Sequence, residues 1–268
     1  MSGESIFDIA ALSDVGTERE HNEDACGTYL EGAKLAVAAV ADGVSGFAGG
    51  QEASRRAVDV TLQSFREQPR DVSAAKRLVQ AVQQANIEVH DRALIVTELR
   101  GMSTTLTAIA LDGGELFAAH VGDSRLYRVR DGQITQLTKD HTVTAERVRM
   151  GVLSEEKARR HPERSTLTRS LGRDLIAAID RISTRLAQGD ALLVCSDGLY
   201  NVLDAEEIVR IVGSGDAKTA SRALIDTANE RGTLDNLTAI VVRVTGPVPP
   251  PRRPSGIFAR IKGLVGGT

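Results

Sequence analysis

The sequence predicts an α+β layered sandwich built on antiparallel hairpins. Amphipathic helical stretches come in pairs, and short β-prone runs joined by tight turns lie between and after them. The regular strand–helix–strand alternation of a parallel Rossmann sheet is missing. No internal repeat at a fixed period points to a solenoid or a propeller.

Taken in order, the first helical stretch runs from Gln51 to Phe65. The second runs from Ser73 to Val96, where Leu78, Val82, Ala85 and Val89 recur at spacings of three and four. Between Ser103 and Thr138 the runs TTLTAIAL, ELFAAHV, RLYRVR and QITQLT are separated by Asp112-Gly113-Gly114 and Asp131-Gly132, the turn chemistry of hairpins. His141 to Gly172 is rich in Arg and Glu and reads as an exposed insertion. Strands follow at Ile176–Ser183 and Ala191–Cys195, helices at Ala205–Val212 and Ala217–Glu230, and a last strand at Leu237–Val244. Five of the seven prolines crowd in after Val244, so the folded domain is expected to be residues 1–245, with 246–268 a Pro-rich, basic, disordered tail.

Composition narrows the function classes. The chain has 268 residues, 41% of them hydrophobic and 26% charged, which is ordinary globular composition. Aromatics make up 3% and Trp is absent, so Ala, Val, Leu and Ile must fill the core. The last 23 residues hold Arg252, Arg253, Arg260 and Lys262 and no acid, which leaves the preceding body at −7 against −3 for the whole chain. An acidic body argues against a nucleic-acid platform and suits carboxylates gathered around cations. Cys26 and Cys195 are too few for a disulfide framework, the N-terminus shows no basic segment leading into an apolar one, and the longest apolar run, Leu35 to Ala41, is far short of the roughly 20 residues that span a bilayer. The expectation is a cytoplasmic protein with no transmembrane segment.

Four aspartates stand where an apolar β-like run meets a small or turn residue: Asp42 in LAVAAVADG, Asp123 in LFAAHVGDSR, Asp197 in ALLVCSDG and Asp235 in LDNLTAIVVRV. One such Asp is most simply a turn residue. Four of them suggest a site assembled from distant parts of the chain on a rigid frame. Gathered carboxylates raise one another's pKa unless cations neutralise them. Oxygen ligands without accompanying Cys or paired His select Mg²⁺ or Mn²⁺ over Zn²⁺. Two such ions roughly 3.5–4 Å apart can activate a water and clamp an in-line displacement at phosphorus. Arg19, in GTEREHNED just ahead of Glu23 and Asp24, has the planar fork that suits a phosphate. A cysteine-dependent phosphatase is excluded, because Asn201 and Gly32 stand six residues after Cys195 and Cys26 where that chemistry needs Arg. A P-loop is excluded because no G-x-x-x-x-G-K-[ST] occurs.

The ordered series R-x-x-N-E-D (Arg19 to Asp24), ADG (Asp42), GMSTTL (Gly101 to Leu106), VGDSRLY (Asp123), LTKDHT (Leu137 to Thr142), TRSLG (Thr168 to Gly172), CSDGLY (Asp197) and DNLTAIVV (Asp235) closely resembles the bacterial branch of the metal-dependent PP2C-type (PPM) protein serine/threonine phosphatases over residues 6 to 245. The resemblance implies a four-layer αββα sandwich, two antiparallel β-sheets flanked by pairs of helices, with two Mn²⁺ or Mg²⁺ ions at one end. It implies that Asp42 bridges the two ions, that the Gly43 carbonyl binds one, and that Asp197 and Asp235 complete the other. Asp24, with Glu23 in a supporting role, would act largely through bound water. Asp123 with Asp197 would form a weaker third metal site, Arg19 would hold the substrate phosphate, and 141–172 would be a mobile flap. Phosphoproteins and a cognate Ser/Thr kinase are the implied partners of a monomer.

One departure stands out. Family members carry a histidine in or just after the ADG loop, credited with protonating the leaving alkoxide, whereas this loop reads DGVSGFAGG, with Val44 and Phe47 in its place. General acid catalysis is typically worth about 10²–10⁴-fold, so slower turnover is expected. The alternative is a pseudophosphatase that binds phosphoproteins with weak or no turnover. Of the histidines, His21 reads as solvent-exposed, His120 as a satisfied core residue, and His90 and His161 as surface residues; no catalytic role follows for His141.

Overall fold

Strands buried on both faces set the layers. The computed structural model describes residues 5–44 and 49–250. In it, β3 (Leu35–Asp42) sends Val37, Ala39 and Ala41 into one hydrophobic cluster and Ala36, Ala38 and Val40 into another, which explains an unbroken apolar run where a half-exposed strand would alternate. One five-stranded sheet has the order β2 (Asp24–Glu31), β3, β4 (Leu106–Asp112), β5 (Glu115–Val121), β8 (Asp180–Arg185). The other has the order β1 (Phe7–Asp14), β10 (Leu237–Val244), β9 (Ala191–Cys195), β6 (Arg125–Arg130), β7 (Gln133–Gln136). All neighbouring strands are antiparallel.

Three cores separate four layers. Ile109, Leu111 and Leu116 meet Leu192, Val194 and Ile240 between the sheets. The first sheet packs its other face on α1 (Gly50–Glu67) and α2 (Ala74–Ile95) through Phe65, Leu78 and Val82. The second packs on α6 (Ala205–Val212) and α7 (Ala217–Glu230) through Ile208, Leu224 and Ile225. This is the expected αββα sandwich, with a core made of Ala, Val, Leu and Ile. Helix ends follow local chemistry: the Ser73 hydroxyl accepts from Lys76 N, and Asp204 with Glu207 forms a capping box on α6.

Four details differ from the sequence reading. Strands β1 and β2 were not foreseen; both are edge strands with mostly half-buried residues, so their apolar pattern is weak. The strand expected over Ile176–Ser183 begins only at Asp180, because Asn86 and Gln83 of α2 hold the 172–177 segment by its backbone and leave Ile176 exposed. The insertion 141–172 is not exposed throughout: its short helix α4 (Glu155–Arg159) is open to solvent, but α3 (Val143–Arg149) is largely half-buried, and His141, Thr142, Thr144 and Leu171 are buried. The chain also keeps packing past Thr245, with Val248 against the inter-sheet core and the Pro249 carbonyl accepting from Arg185. The remainder of the proposed tail, 251–268, and Phe47 of the loop lie outside the described residues.

Candidate active site

The topology brings one end of both sheets together. Strand β3 ends at Asp42, β5 ends just before Gly122-Asp123, β9 ends just before Asp197, and Asp235 stands two residues before β10. Asp42, Asp123, Asp197 and Asp235 line one cavity of about 780 Å³ together with Arg19, Gly43, Val44, Thr105 and Asn236. That volume is within the usual range for small-molecule sites. Asp197 is the first residue of the four-residue helix α5 (Asp197–Tyr200). A Cβ on Gly198 would stand 2.1 Å from the Asn236 carbonyl oxygen, so only glycine lets Asp197 approach the Asp235 strand this closely. Gly43 is equally confined, with the Gly50 carbonyl 2.3 Å from where its Cβ would be.

Asp42 is fixed by its own backbone. Its N–H donates to Thr105 Oγ1 at 2.9 Å, and its carbonyl accepts from Thr105 N and Thr104 Oγ1, both at 2.8 Å. Asp24 is its direct cross-strand partner. Asp24 is buried behind the cavity wall, where Ser196 Oγ donates to its Oδ2 at 2.6 Å. Glu23 also lies outside the cavity lining; its carboxylate occupies the space where Gly50 has no side chain. Arg19 lies on the cavity wall, with Nη2 donating to Asp235 Oδ2 at 2.9 Å and Nε to the Leu234 carbonyl at 3.2 Å.

These carboxyl groups are electrostatically strained. Burial, opposed by the Ser196 and Thr238 hydrogen bonds and reinforced by the charges of Asp197 and Asp235, lifts Asp24 to about 7. Burial and the Asp235 charge lift Asp197 to about 6. Burial first, then the neighbouring aspartates, pushes Asp42 and Asp123 well above the usual carboxylate range. Among the described residues no three His, Cys, Asp or Glu side chains are drawn into a closed ligand set. The donors line an open wall. Their chemistry fits hard divalent cations: they are all oxygen, like-charged, and held by strand ends that cannot separate.

Sequence reasoning overlooked the residues that hold these groups. Asn236 is the hub: its Nδ2 donates to the Val15 and His21 carbonyls at 2.9 and 3.0 Å, and its Oδ1 accepts from Glu23 N at 2.8 Å, which pins the Arg19 loop to the Asp235 strand. The signal was a polar residue directly after Asp235 at the entry of a buried strand. His141 has a structural part, exchanging hydrogen bonds with Gly122 beside Asp123 (N–H to O, 2.8 Å; Gly122 N–H to Nδ1, 3.1 Å). Tyr200 donates to the Asp123 carbonyl at 3.1 Å and stacks under the Arg125 guanidinium, 3.6 Å from the ring centroid. His120 is a satisfied core residue, within 2.9 Å of Thr107 Oγ1 and 3.0 Å of the Lys139 carbonyl; burial and the adjacent His141 push it down to about 4. His21 is exposed, as read. His90 and His161 are half-buried, not surface residues, and His90 is on the cavity wall because it projects from the last turns of α2 toward it.

A frame of this kind, with this carboxylate set at its end, defines a metal-dependent phosphatase architecture. Residues 17–240 match the family described as Protein phosphatase 2C. A putative protein phosphatase 2C-type of Streptococcus pyogenes is 34% identical over 87% of this chain and 96% of its own length. The serine/threonine protein phosphatase PstP of Mycobacterium tuberculosis is 36% identical over 89% of this chain, which spans 45% of PstP. A crystal structure of the PstP catalytic domain in complex with two manganese ions superposes with a TM-score of 0.79 at 32% identity, covering 90% of this chain and 99% of that one. The chain belongs to the protein phosphatase 2C family, the class of metal-dependent protein serine/threonine phosphatases. No helix among the described residues is long and apolar enough to cross a membrane.

Proposed function

We propose that this protein removes phosphate from phosphoserine and phosphothreonine on proteins, opposing a Ser/Thr kinase, as a cytoplasmic monomer. The observation that carries the reading is the convergence of Asp42, Asp123, Asp197 and Asp235 beside Arg19 in one cavity, with the proton affinities of Asp42, Asp123 and Asp197 raised. Asp42 would be shared between two Mn²⁺ or Mg²⁺ ions, with the Gly43 carbonyl on one, Asp197 and Asp235 on the other, and Asp123 with Asp197 at a weaker third. Asp24 and Glu23 would support the centre from behind the wall. Bound there, such ions supply Lewis acidity and an activated water for in-line attack at phosphorus.

The chain's own residues do the rest. Thr104 and Thr105 hold the Asp42 backbone, and Ser196 holds the Asp24 carboxylate. Arg19, on the cavity wall beside Asp235, would bind the substrate phosphate. Val44 also lines the cavity and carries no proton for a leaving alkoxide. That observation favours a second reading, phosphoprotein binding with weak or no turnover.

Hydrolysis of p-nitrophenyl phosphate and of phosphothreonine peptides, with Mn²⁺ and with EDTA, separates the two. The proposal expects Mn²⁺-dependent turnover that is stronger on the aryl ester, whose leaving group needs no proton. Absence of metal-dependent turnover on both substrates contradicts it and leaves the binding reading.

A further inference from the structure

The cavity extends beyond the groups that phosphate chemistry requires. Its lining also includes the end of α2 (His90, Ala93, Leu94), the segment after the 3₁₀ turn Thr97–Leu99 (Arg100, Gly101, Ser103) and residues at and just past the end of the insertion (Ser170, Gly172, Arg173). Two of these residues, Arg100 and Arg173, are exposed arginines whose side chains have no hydrogen-bond or ion-pair partner among the described residues. Glu98 and Asp174, acids close by in sequence, form no ion pair with them. Other arginines are engaged, as Arg125 is with Asp140 and Arg130 with Asp190.

The backbones that carry the two arginines are held firmly. Thr104 forms antiparallel bridges with both Gly43 and Leu171, which ties the segments bearing Arg100 and Arg173 to the metal-side loop. Buried Asn86 accepts from Gly172 N at 2.9 Å and donates to the Asp174 and Leu175 carbonyls at 2.9 and 3.0 Å, clamping the backbone on both sides of Arg173. Leu94, 73% exposed, stands on the same wall as an apolar contact. A fixed backbone that presents two uncommitted guanidinium forks into a cavity otherwise crowded with carboxylates is arranged to receive anionic oxygens.

We propose that Arg100 and Arg173 form a second anion subsite, which selects phosphopeptides carrying a further anionic group beside the phosphorylated residue, either a side-chain carboxylate or a second phosphate. This deepens the phosphatase reading and rests on it. Leu94 packs against the intervening peptide, and the forks take the anionic oxygens.

The test compares kcat/KM for three phosphothreonine peptides: one with neutral flanks, one with flanking Asp, and one with a flanking second phosphothreonine. Wild type, Arg100→Gln, Arg173→Gln and the double variant are assayed with Mn²⁺. A charge-assisted contact in a partly open cavity predicts a preference of about tenfold for an anionic flank, reduced about threefold by either single change. The double variant brings the ratio close to one. The two anionic peptides tell carboxylate from phosphate as the preferred group. Because the ratio is taken within each variant, a general loss of metal-centre activity cancels. Arg173→Glu should shift the preference toward a Lys-flanked peptide. A wild-type ratio near one, or a ratio unchanged in the double variant, overturns the subsite. Fluorescence anisotropy with the same labelled peptides reads the preference without turnover, so failure of hydrolysis counts against the phosphatase reading and leaves the subsite to be judged by binding.

Discussion

On the sheet-end side of the cavity, Asp42, Asp197 and Asp235 stand beside strands β3, β9 and β10, whose side chains are buried on both faces. A second part of the wall, from the end of α2 and the segments around residues 100 and 173, presents Leu94, Arg100 and Arg173 to solvent. Charges on the first wall cannot relax: the strands are fixed by two cores, so burial and mutual repulsion persist as raised proton affinity at Asp42 and Asp197. Charges on the second wall sit on long side chains that can swing, and their backbone alone is fixed. Rigid like-charge crowding suits the capture of cations, and mobile forks on a fixed base suit recognition of variable chains.

The largest expected effect comes from relieving the crowding. Asp42→Asn should lower Mn²⁺-dependent p-nitrophenyl phosphate turnover by about 10³-fold. In EDTA the same change should raise the thermal midpoint, since a strained carboxylate is removed while its backbone hydrogen bonds remain. A variant that loses activity together with its metal-free stability would show that Asp42 belongs to the scaffold.

Next is the hub that joins the Arg19 loop to the Asp235 strand. Asn236→Ala removes three hydrogen bonds from a buried position. The expected cost is roughly 2–4 kcal/mol in urea unfolding. KM for phosphopeptides should rise more than kcat falls, because the loop that carries Arg19 is loosened.

How far the sequence disclosed this division follows from the same physics. The doubly buried strands announce themselves as apolar runs with an Asp at or next to one end, after β3 and β9 and before β10, so these strands and their carboxylates were readable. Edge strands β1 and β2 were not, because exposed or half-exposed residues such as Asp8, Thr28 and Glu31 dilute the pattern. Asn236, Ser196 and Tyr200 act through hydrogen bonds to partners up to 221 residues away along the chain, which no local spacing reveals. His90 reads as a surface residue on its helix, and only the packing of α2 beside the 172–175 segment brings it to the cavity.

The pH dependence sharpens the contrast further. Asp24, at about 7, and Asp197, at about 6, lie above their unfolded value of 3.8, so the metal-free folded state binds more protons than the unfolded one in this window. Metal-free stability should therefore be greatest at low pH within it and fall as pH rises through 6 and 7. Cation binding needs the ionised forms, so the rise in thermal midpoint on adding Mn²⁺ should grow from pH 5.5 to pH 8. A Mn²⁺ shift independent of pH would mean that these carboxylates do not hold the ion.

The smallest effect is expected on the open side of the molecule. Met150 and Val152, 73% and 71% exposed between the two short helices of the insertion, should each tolerate Ser within about 0.5 kcal/mol. A larger loss would place the insertion among the rigid parts.

The central claim, that aspartates from distant strands jointly hold divalent cations, is tested most directly by anomalous diffraction from crystals grown with Mn²⁺. The account predicts two anomalous peaks in the cavity, with Asp42 touching both and Asp197 and Asp235 sharing one. Peaks elsewhere, or none within reach of Asp42 at saturating Mn²⁺ and pH 8, would contradict it.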